Sequence, residues 1–373
     1  MLKILFVTGA SHKSYMVNFN HYQRVHFLSR QAELTIYARR GASFSVSASQ
    51  GTEVVNAPFS GKLGMIISCI LWLAVRGRSK SFDVVLTEPS KLCICGLFGK
   101  IMLGAKWVVD VWDIPFRRDS KRVLQRCMNR MDRRIGRILF KFADFFILSI
   151  LPNLEFAEFG VPREKKLLLK NAIWLNDRNS REQDDCVLPS EVFRIMCMRS
   201  RFTHDMGLDI LAQAFDLLNK TCDKIELTIV GRIPQVVRPQ VELLGRRRNV
   251  FFREFVEHDE LLRLTILSTV CVVPFRETPD LAQTYPIKVL EYLSYGAVVI
   301  APDLPGIASM IKHGDNGLLF RPNDSADLAE KLRMLYEHPE YAARISQRAA
   351  LGDEYDCRKK AEVIFRALQK LVT

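Results

Sequence analysis

At 373 residues the chain is too long for one ordinary hydrophobic core, and two domains of roughly 150–200 residues are expected. Hydrophobic residues are 48% and charged residues 25% of the total, a globular balance that excludes a low-complexity or disordered chain. The net charge of +13 is uneven. Residues 1–175 hold 27 Lys and Arg against 12 Asp and Glu, and residues 176–373 hold 27 against 29. An anionic partner is therefore expected for the first half only, either nucleic acid or an anionic membrane surface.

The N-terminal run Met1-Leu-Lys-Ile-Leu-Phe-Val-Thr-Gly reads as a buried first strand rather than a signal peptide. The nine cysteines are scattered without metal-ligand spacing, which fits reduced thiols in a cytoplasmic protein and gives no metal site. Strands are expected at Ile4–Val7, Leu34–Tyr37, Val84–Leu86, Trp107–Asp110, Phe145–Leu148 and Lys166–Leu169. A second series follows at Arg194–Met198, Glu226–Val230, Val250–Phe252, Thr269–Val273, Val298–Ala301 and Gly317–Phe320. Apolar strands alternating with helical stretches mean parallel sheets covered on both faces. The fold class is thus α/β, two doubly wound Rossmann-like domains facing across a cleft. The expected boundaries are 1–175, a polar linker over 176–190, 191–352, and a C-terminal helix over 353–373 that packs back on the first domain. In that helix Val363, Ile364, Leu368 and Leu371 are placed on the core side, with Arg358, Lys359, Lys360 and Lys370 in water.

Two segments of the first half are candidates for a membrane surface. Leu63–Val75 is nearly all apolar and is followed by Arg76, Arg78 and Lys80. It is too short to span a bilayer, which needs about 20 residues, and reads as a buried or an interfacial helix. Over 119–142, Val123, Cys127, Met131, Ile135, Ile138 and Phe142 form a helical stripe among Arg122, Arg126, Arg130, Arg133, Arg134, Arg137 and Lys141. A basic amphipathic helix of this kind reads as membrane-surface binding, the plain alternative being a helix whose stripe packs on the sheet. Nucleic acid is not the expected partner, because no zinc finger, RNA-binding aromatic motif or recognition-helix unit is present.

The segment Gln283–Phe320 is the most informative. A turn ending at Pro286 opens a helix at Ile287 and Lys288. That helix carries Glu291 one turn in and stops at Gly296; a strand, Gly306 and a turn at Gly314–Gly317 follow. Helix N-termini offer free N–H groups and positive dipole to phosphate, and a carboxylate one turn along can reach a ribose. This is a nucleotide site on a βα unit.

Taken in order, these pieces resemble glycosyltransferase family 4, whose members are retaining enzymes of the GT-B fold. The resemblance is carried by Met198-Arg-Ser-Arg-Phe-Thr-His-Asp-Met-Gly, Leu227-Thr-Ile-Val-Gly, Phe255-Val-Glu-His-Asp-Glu-Leu, Val272-Val-Pro-Phe and Gln283–Glu291, and more faintly by Trp107-Val-Val-Asp-Val-Trp-Asp-Ile-Pro. It implies that Glu291 binds the donor ribose and that Arg201 binds the diphosphate. Three positions depart from the pattern. Gln283 stands where the family has the first of two glutamates, Met206 where it has a lysine, and Trp112 where a loop histidine is common. Lys288 is the expected replacement cation for the diphosphate. Trp112 is expected to stack on a sugar and Asp113 to hold a hydroxyl or the acceptor. Gly9 and Ala10 lie in the turn expected near the phosphates. The resemblance also implies no cofactor and no metal: a nucleotide-sugar is the donor substrate. A lipid-linked or oligosaccharide acceptor and an anionic membrane, at the inner face of the cell membrane, follow from the basic first half. Two other readings are a catalytically silent partner protein of the same fold and, more weakly, a nucleotide-sugar epimerase.

Overall fold

The computed structural model describes residues 1–9, 25–42, 44, 52–59, 61–111, 123–149, 160–173, 191–242, 244–254, 256–349 and 351–373. The expected linker, 176–190, lies outside them. The chain divides into two compact units: Met1–Trp174 with Asp356–Thr373, and Leu175–Tyr355.

The first unit is built on seven parallel strands: β1 (Lys3–Thr8), β2 (Glu33–Ala38), β3 (Thr52–Asn56), β4 (Val84–Thr87), β5 (Lys106–Val111), β6 (Phe145–Leu148) and β7 (Lys166–Leu168). Their order is β3-β2-β1-β4-β5-β6-β7. Side-chain alternation divides each strand between two cores. Ile4, Phe6, Val84 and Leu86 face one side with Ile364 and Leu368, while Leu5, Val7 and Val85 face the other with Met65, Ile66 and Cys69. Three helices cover this second side: α1 (Lys62–Trp72), α2 (Cys93–Leu103) and α3 (Val123–Phe140). Beyond α1 a π-helical turn, Leu73–Gly77, leads to Arg78–Lys80. α2 sits close on the sheet because it has glycines there: a Cβ on Gly96 would lie 2.0 Å from the Trp107 indole nitrogen, and one on Gly99 2.7 Å from Val85.

Strand β3 was not expected. Thr52-Glu53-Val54-Val55-Asn56 has only two apolar residues, and its residues are exposed or half-buried, as an edge strand permits. The C-terminal helix, α10, is shorter than expected. It runs Cys357–Val372, capped by the Asp356 carboxylate accepting from the Arg358 N–H. Two of its residues exchange the places expected of them. Val363 is 44% exposed and Lys360 5% exposed. Lys360 is four residues before Ile364 and shares its inward face; its ammonium donates to the Lys170 carbonyl at 2.5 Å, which makes burial tolerable.

The second unit repeats the winding with six parallel strands: β8 (Phe193–Arg201), β9 (Ile225–Arg232), β10 (Val250–Arg253), β11 (Val270–Val272), β12 (Val298–Pro302) and β13 (Leu318–Phe320), in the order β10-β9-β8-β11-β12-β13. Helices α4 (Leu208–Leu218), α8 (Ser325–Glu337) and α9 (Pro339–Arg348) supply Leu208, Leu211, Phe215, Leu328, Leu332 and Ile345 to the core on one side. On the other side lie α5 (His258–Leu267), whose Thr265 hydroxyl meets the Met196 sulfur, and α6 (Ile287–Ser294), whose Tyr292 hydroxyl accepts from the Met198 N–H at 2.9 Å. The short helix α7 (Pro305–Ala308) follows β12. In each unit the first strand is central and the winding reverses beside it, between β1 and β4 and between β8 and β11. The crevice at the carboxyl ends of such a strand pair is where open α/β sheets bind ligands.

Candidate active site

In the second unit the switch point is formed by the end of β8 and the segment after β11. Arg199 and Arg201 lie in the last turn of β8, where a bulge between Met198 and Arg201 shifts the register against β9. Arg199 was not singled out by its sequence position, yet it is the cation at the crevice. Its guanidinium stacks over the Phe275 ring, 4.1 Å from the centroid. Its Nη2 is sealed from solvent and has no hydrogen-bond partner among the described residues. Burial pulls this guanidinium below its ordinary range, opposed by the nearby Cys197, Tyr292, Glu291 and Asp205. The only sequence signal was a second arginine, after Arg194, at the end of a strand whose middle buries its side chains. Arg201, by contrast, is exposed and has no ion pair among the described residues.

Helix α6 starts in the same crevice. Pro286, in extended backbone, is its N-cap and has no capping side chain; the Val289 N–H bonds the Pro286 carbonyl at 3.0 Å, which leaves the N–H groups of Ile287 and Lys288 for a ligand. Lys288, in the first turn, and Glu291, one turn in, are joined by an ion pair, Nζ to Oε2 2.5 Å, with side chains 24% and 12% exposed. The phenol of Tyr295, one turn later, is pushed up to about 12 by burial and by Glu291. Ile287 opens the helix, half-buried. Gln283 closes the preceding 3-10 turn, Leu281–Gln283, also half-buried. The residue after it is fixed by backbone contact: a Cβ on Gly306 would lie 2.0 Å from the Thr284 carbonyl oxygen, so α7 and the Gln283 turn can touch only through glycine. The loop after β8 is fixed in the same way. Gly207, at φ +68°, brings its backbone against Pro274, whose carbonyl oxygen would be 1.7 Å from a Cβ there. Met206, at the lysine position of the resemblance, ends the preceding turn and packs on the core.

The structure thus joins Lys288 to Glu291 and sets Arg199 close enough to Glu291 to feel its charge. No hydrogen bond or ion pair links Arg201 or Gln283 to them among the described residues. The Gly314–Gly317 turn does not belong to this site. It precedes β13 and closes on itself through Gly314 N–H to Gly317 carbonyl, 2.9 Å. Parallel pairing of β13 with β12 puts it at the amino ends of the strands, opposite Arg199 and the start of α6. Nor is Gly306 a free contact, since Thr284 covers it.

In the first unit, Gly9 follows β1 at the other switch point. Its N–H donates to Glu88 Oε1 at 3.1 Å, and the Thr8 hydroxyl donates to the same oxygen. Glu88, half-buried at the end of β4, was also missed by the sequence reading. It holds the turn in which Gly9 was expected to face phosphate. Ala10, Trp112 and Asp113 lie outside the described residues. Among the described residues no three His, Cys, Asp or Glu side chains are grouped so as to hold a metal ion.

Comparison with known proteins agrees with this architecture. Residues 180–351 match the family model described as Glycosyl transferases group 1. The D-rhamnosyltransferase WbpZ of Pseudomonas aeruginosa is 29% identical over 144 residues, 38% of this chain and 36% of that protein. The alpha-D-kanosaminyltransferase of Streptomyces kanamyceticus is 24% identical over 154 residues, 40% of this chain and 38% of that protein. The matched stretches therefore span less than two fifths of these relatives. The crystal structure of Anabaena HepE in complex with UDP and glucose matches over 99% of this chain and 100% of its own, with a TM-score of 0.73 and 17% identity. At that identity the likeness carries the fold, which is GT-B: two Rossmann-like domains in one chain.

Proposed function

We propose that this protein is a retaining glycosyltransferase of family 4, moving a sugar from a nucleotide-sugar donor to a glycan acceptor. The observation that carries the reading is the Lys288–Glu291 pair at the start of α6, beside the buried guanidinium of Arg199. The match of residues 180–351 to Glycosyl transferases group 1 supports the reaction class. The UDP in the HepE structure supports a nucleoside diphosphate as the leaving group.

Transfer breaks the bond between the anomeric carbon and the phosphate oxygen, and negative charge collects on the departing diphosphate. In this reading that charge is met by Arg199, Arg201, Lys288 and the N–H groups of Ile287 and Lys288 at the start of α6. Glu291 holds the ribose hydroxyls. Lys288 then has two positions: paired to Glu291 when the site is empty, and turned to phosphate when a nucleotide takes over the carboxylate. The replacement of the usual lysine by Met206 is thereby compensated within α6. Gln283 binds a sugar hydroxyl without charge. Retention follows if the acceptor attacks from the side the diphosphate leaves, with a phosphate oxygen taking its proton. No protein nucleophile and no metal is required. Asp113 and Trp112 are assigned to the acceptor and sugar, and the Gly9–Ala10 turn to the donor phosphates once Glu88 releases it.

The acceptor in this reading is a lipid-linked glycan in polysaccharide assembly, handled at the inner face of the cell membrane. Its support is the charge of residues 1–175, 27 basic against 12 acidic. Calorimetric titration with UDP, GDP, ADP, CMP and TDP tests the donor site. One nucleotide is expected to bind, with affinity lost by about tenfold or more in Glu291→Ala, the loss of a charged hydrogen-bond partner. Binding of none of them would turn the assignment to a catalytically silent partner, the reading that the altered Gln283 and Met206 favour.

A further inference from the structure

The layer of α1, α2 and α3 is covered by the sheet on one side and by no other described residues on the other, where large apolar side chains are exposed. On α1, Met65, Ile66 and Cys69 point into the core. Leu63, Ile67 and Leu71 point out, 71%, 50% and 61% exposed, and Val75 in the following turn is 77% exposed. These four recur every fourth residue, so they form one ridge along the helix. On α2, which packs against α1, Phe98 and Ile101 are 37% and 70% exposed. On α3, which packs against α2, the described part of the stripe read from the sequence, from Met131 to Phe142, does not pack on the sheet. Met131, Ile135, Ile138 and Phe142 are 52%, 38%, 59% and 51% exposed, and it is Phe140 that is buried. A solvated surface helix carries its polar residues outward. The helix on the opposite side of the same sheet does so: α10 exposes Arg358, Lys359, Glu362 and Arg366.

Charge decides what covers this surface. α1 and α2 contain no acidic residue, and α3 contains one, Asp132, which is paired to Lys91 at 3.3 Å. Arg76, Arg78, Arg130, Arg134, Arg137 and Lys141 stand around the apolar ridges, and all six are exposed. A second copy of the chain would set this basic surface against itself, and a nucleic acid would leave the apolar ridges unmatched. An anionic bilayer matches both: apolar side chains enter the acyl boundary while arginines reach the phosphates. No helix among the described residues is long and apolar enough to cross a membrane, so the contact is parallel to the surface.

We propose that the outer side of the α1–α2–α3 layer docks on anionic phospholipid as one surface, with the Leu63–Val75 ridge and Ile101 inserted. This deepens the lipid-linked reading above, on which it rests for its purpose but not for its test. The test is flotation of the full chain with phosphatidylcholine vesicles, with and without about 30% phosphatidylglycerol, at low salt. The protein is expected to float with the anionic vesicles. Leu71→Ser/Val75→Ser/Ile101→Ser is expected to weaken that binding by about tenfold or more, from lost apolar insertion. Arg134→Gln/Arg137→Gln/Lys141→Gln is expected to abolish the preference for anionic lipid. All six side chains are exposed, and an unchanged melting temperature confirms that each variant is folded. Absence of wild-type binding, or equal binding by the Ser variant, overturns the proposal. So does concentration-dependent dimerisation that the Ser variant abolishes without vesicle binding, which would make a second copy the occupant. The assay contains no nucleotide or acceptor, so it and the calorimetric titration can fail independently.

Discussion

Arg199 shows how a single side chain can be set by the fold and yet be invisible as a motif. In sequence it is one of two arginines flanking Ser200, and the resemblance to glycosyltransferase family 4 implies Arg201, not Arg199, as the diphosphate ligand. In the structure the strand bulge sends Arg199 onto Phe275 and leaves Arg201 exposed. A guanidinium with a sealed, unpartnered nitrogen is costly in the apo protein and is satisfied by an arriving anion. Arg199→Met separates the two roles. The thioether chain keeps the stack on Phe275 and removes the unpaired nitrogen, so stability is expected to stay within about 1 kcal/mol of the parent. Affinity for the nucleoside diphosphate is expected to fall by about tenfold or more, while the corresponding nucleoside, lacking phosphate, binds as before. Thermal melting and calorimetry on one variant read both quantities. A collapse of the melting temperature would make Arg199 a structural cation instead.

At the scale of elements, the site depends on two backbone approaches that only glycine permits. Gly207 combines φ +68° with a position at which a Cβ would meet the Pro274 carbonyl. Gly207→Ala therefore meets both a left-handed penalty and a clash, together about 2–4 kcal/mol, with a matching loss of nucleotide affinity as the β8 and β11 loops separate. Gly104 is the contrast: it ends α2 at φ +69° with nothing within 4 Å of its Cβ direction, so Gly104→Ala is expected to cost only about 1 kcal/mol. Urea unfolding of the two variants measures the difference, and equal costs would remove the contact argument. These contacts also mark where the sequence stops being legible. Twelve of the thirteen strands could be read from apolar runs, most of them because strands buried on both faces leave no other pattern; the edge strands β7 and β10 still carry such runs though they are half-buried or exposed, whereas Thr52–Asn56, also an edge strand, has none. Glu291 and Lys288 could be placed because helix spacing is local. Arg199, Glu88 and the displaced Gly314–Gly317 turn could not, because each depends on which strand ends share one edge of the sheet. That is a property of strand order, not of any one segment.

For the molecule as a whole, the chain order and the packing order differ. The last helix, α10, completes the core of the first unit: Ile364 and Leu368 are buried with Ile4, Phe6, Leu34 and Val84. The crossing is anchored by Cys357 N–H to the Ile173 carbonyl, 3.0 Å, and by Lys360 to the Lys170 carbonyl. Leu368 is fully buried, and truncating such a leucine leaves a cavity worth about 2–5 kcal/mol. Because cooperative units open separately, that cost belongs to the first unit. In Leu368→Ala, peptide-resolved hydrogen exchange is expected to accelerate in β1, β2 and β4. Exchange in β8, β9 and β12 should stay at the parent rate, with nucleotide affinity falling by less than in Glu291→Ala, because Arg199, Lys288 and Glu291 belong to the second unit and only the Gly9–Ala10 turn to the first. Acceleration across both units to the same degree would instead make the 373 residues one cooperative block. The donor site could then not be assigned to the second unit's stability alone, and mutations in the first unit would weaken nucleotide binding through global unfolding rather than through contact.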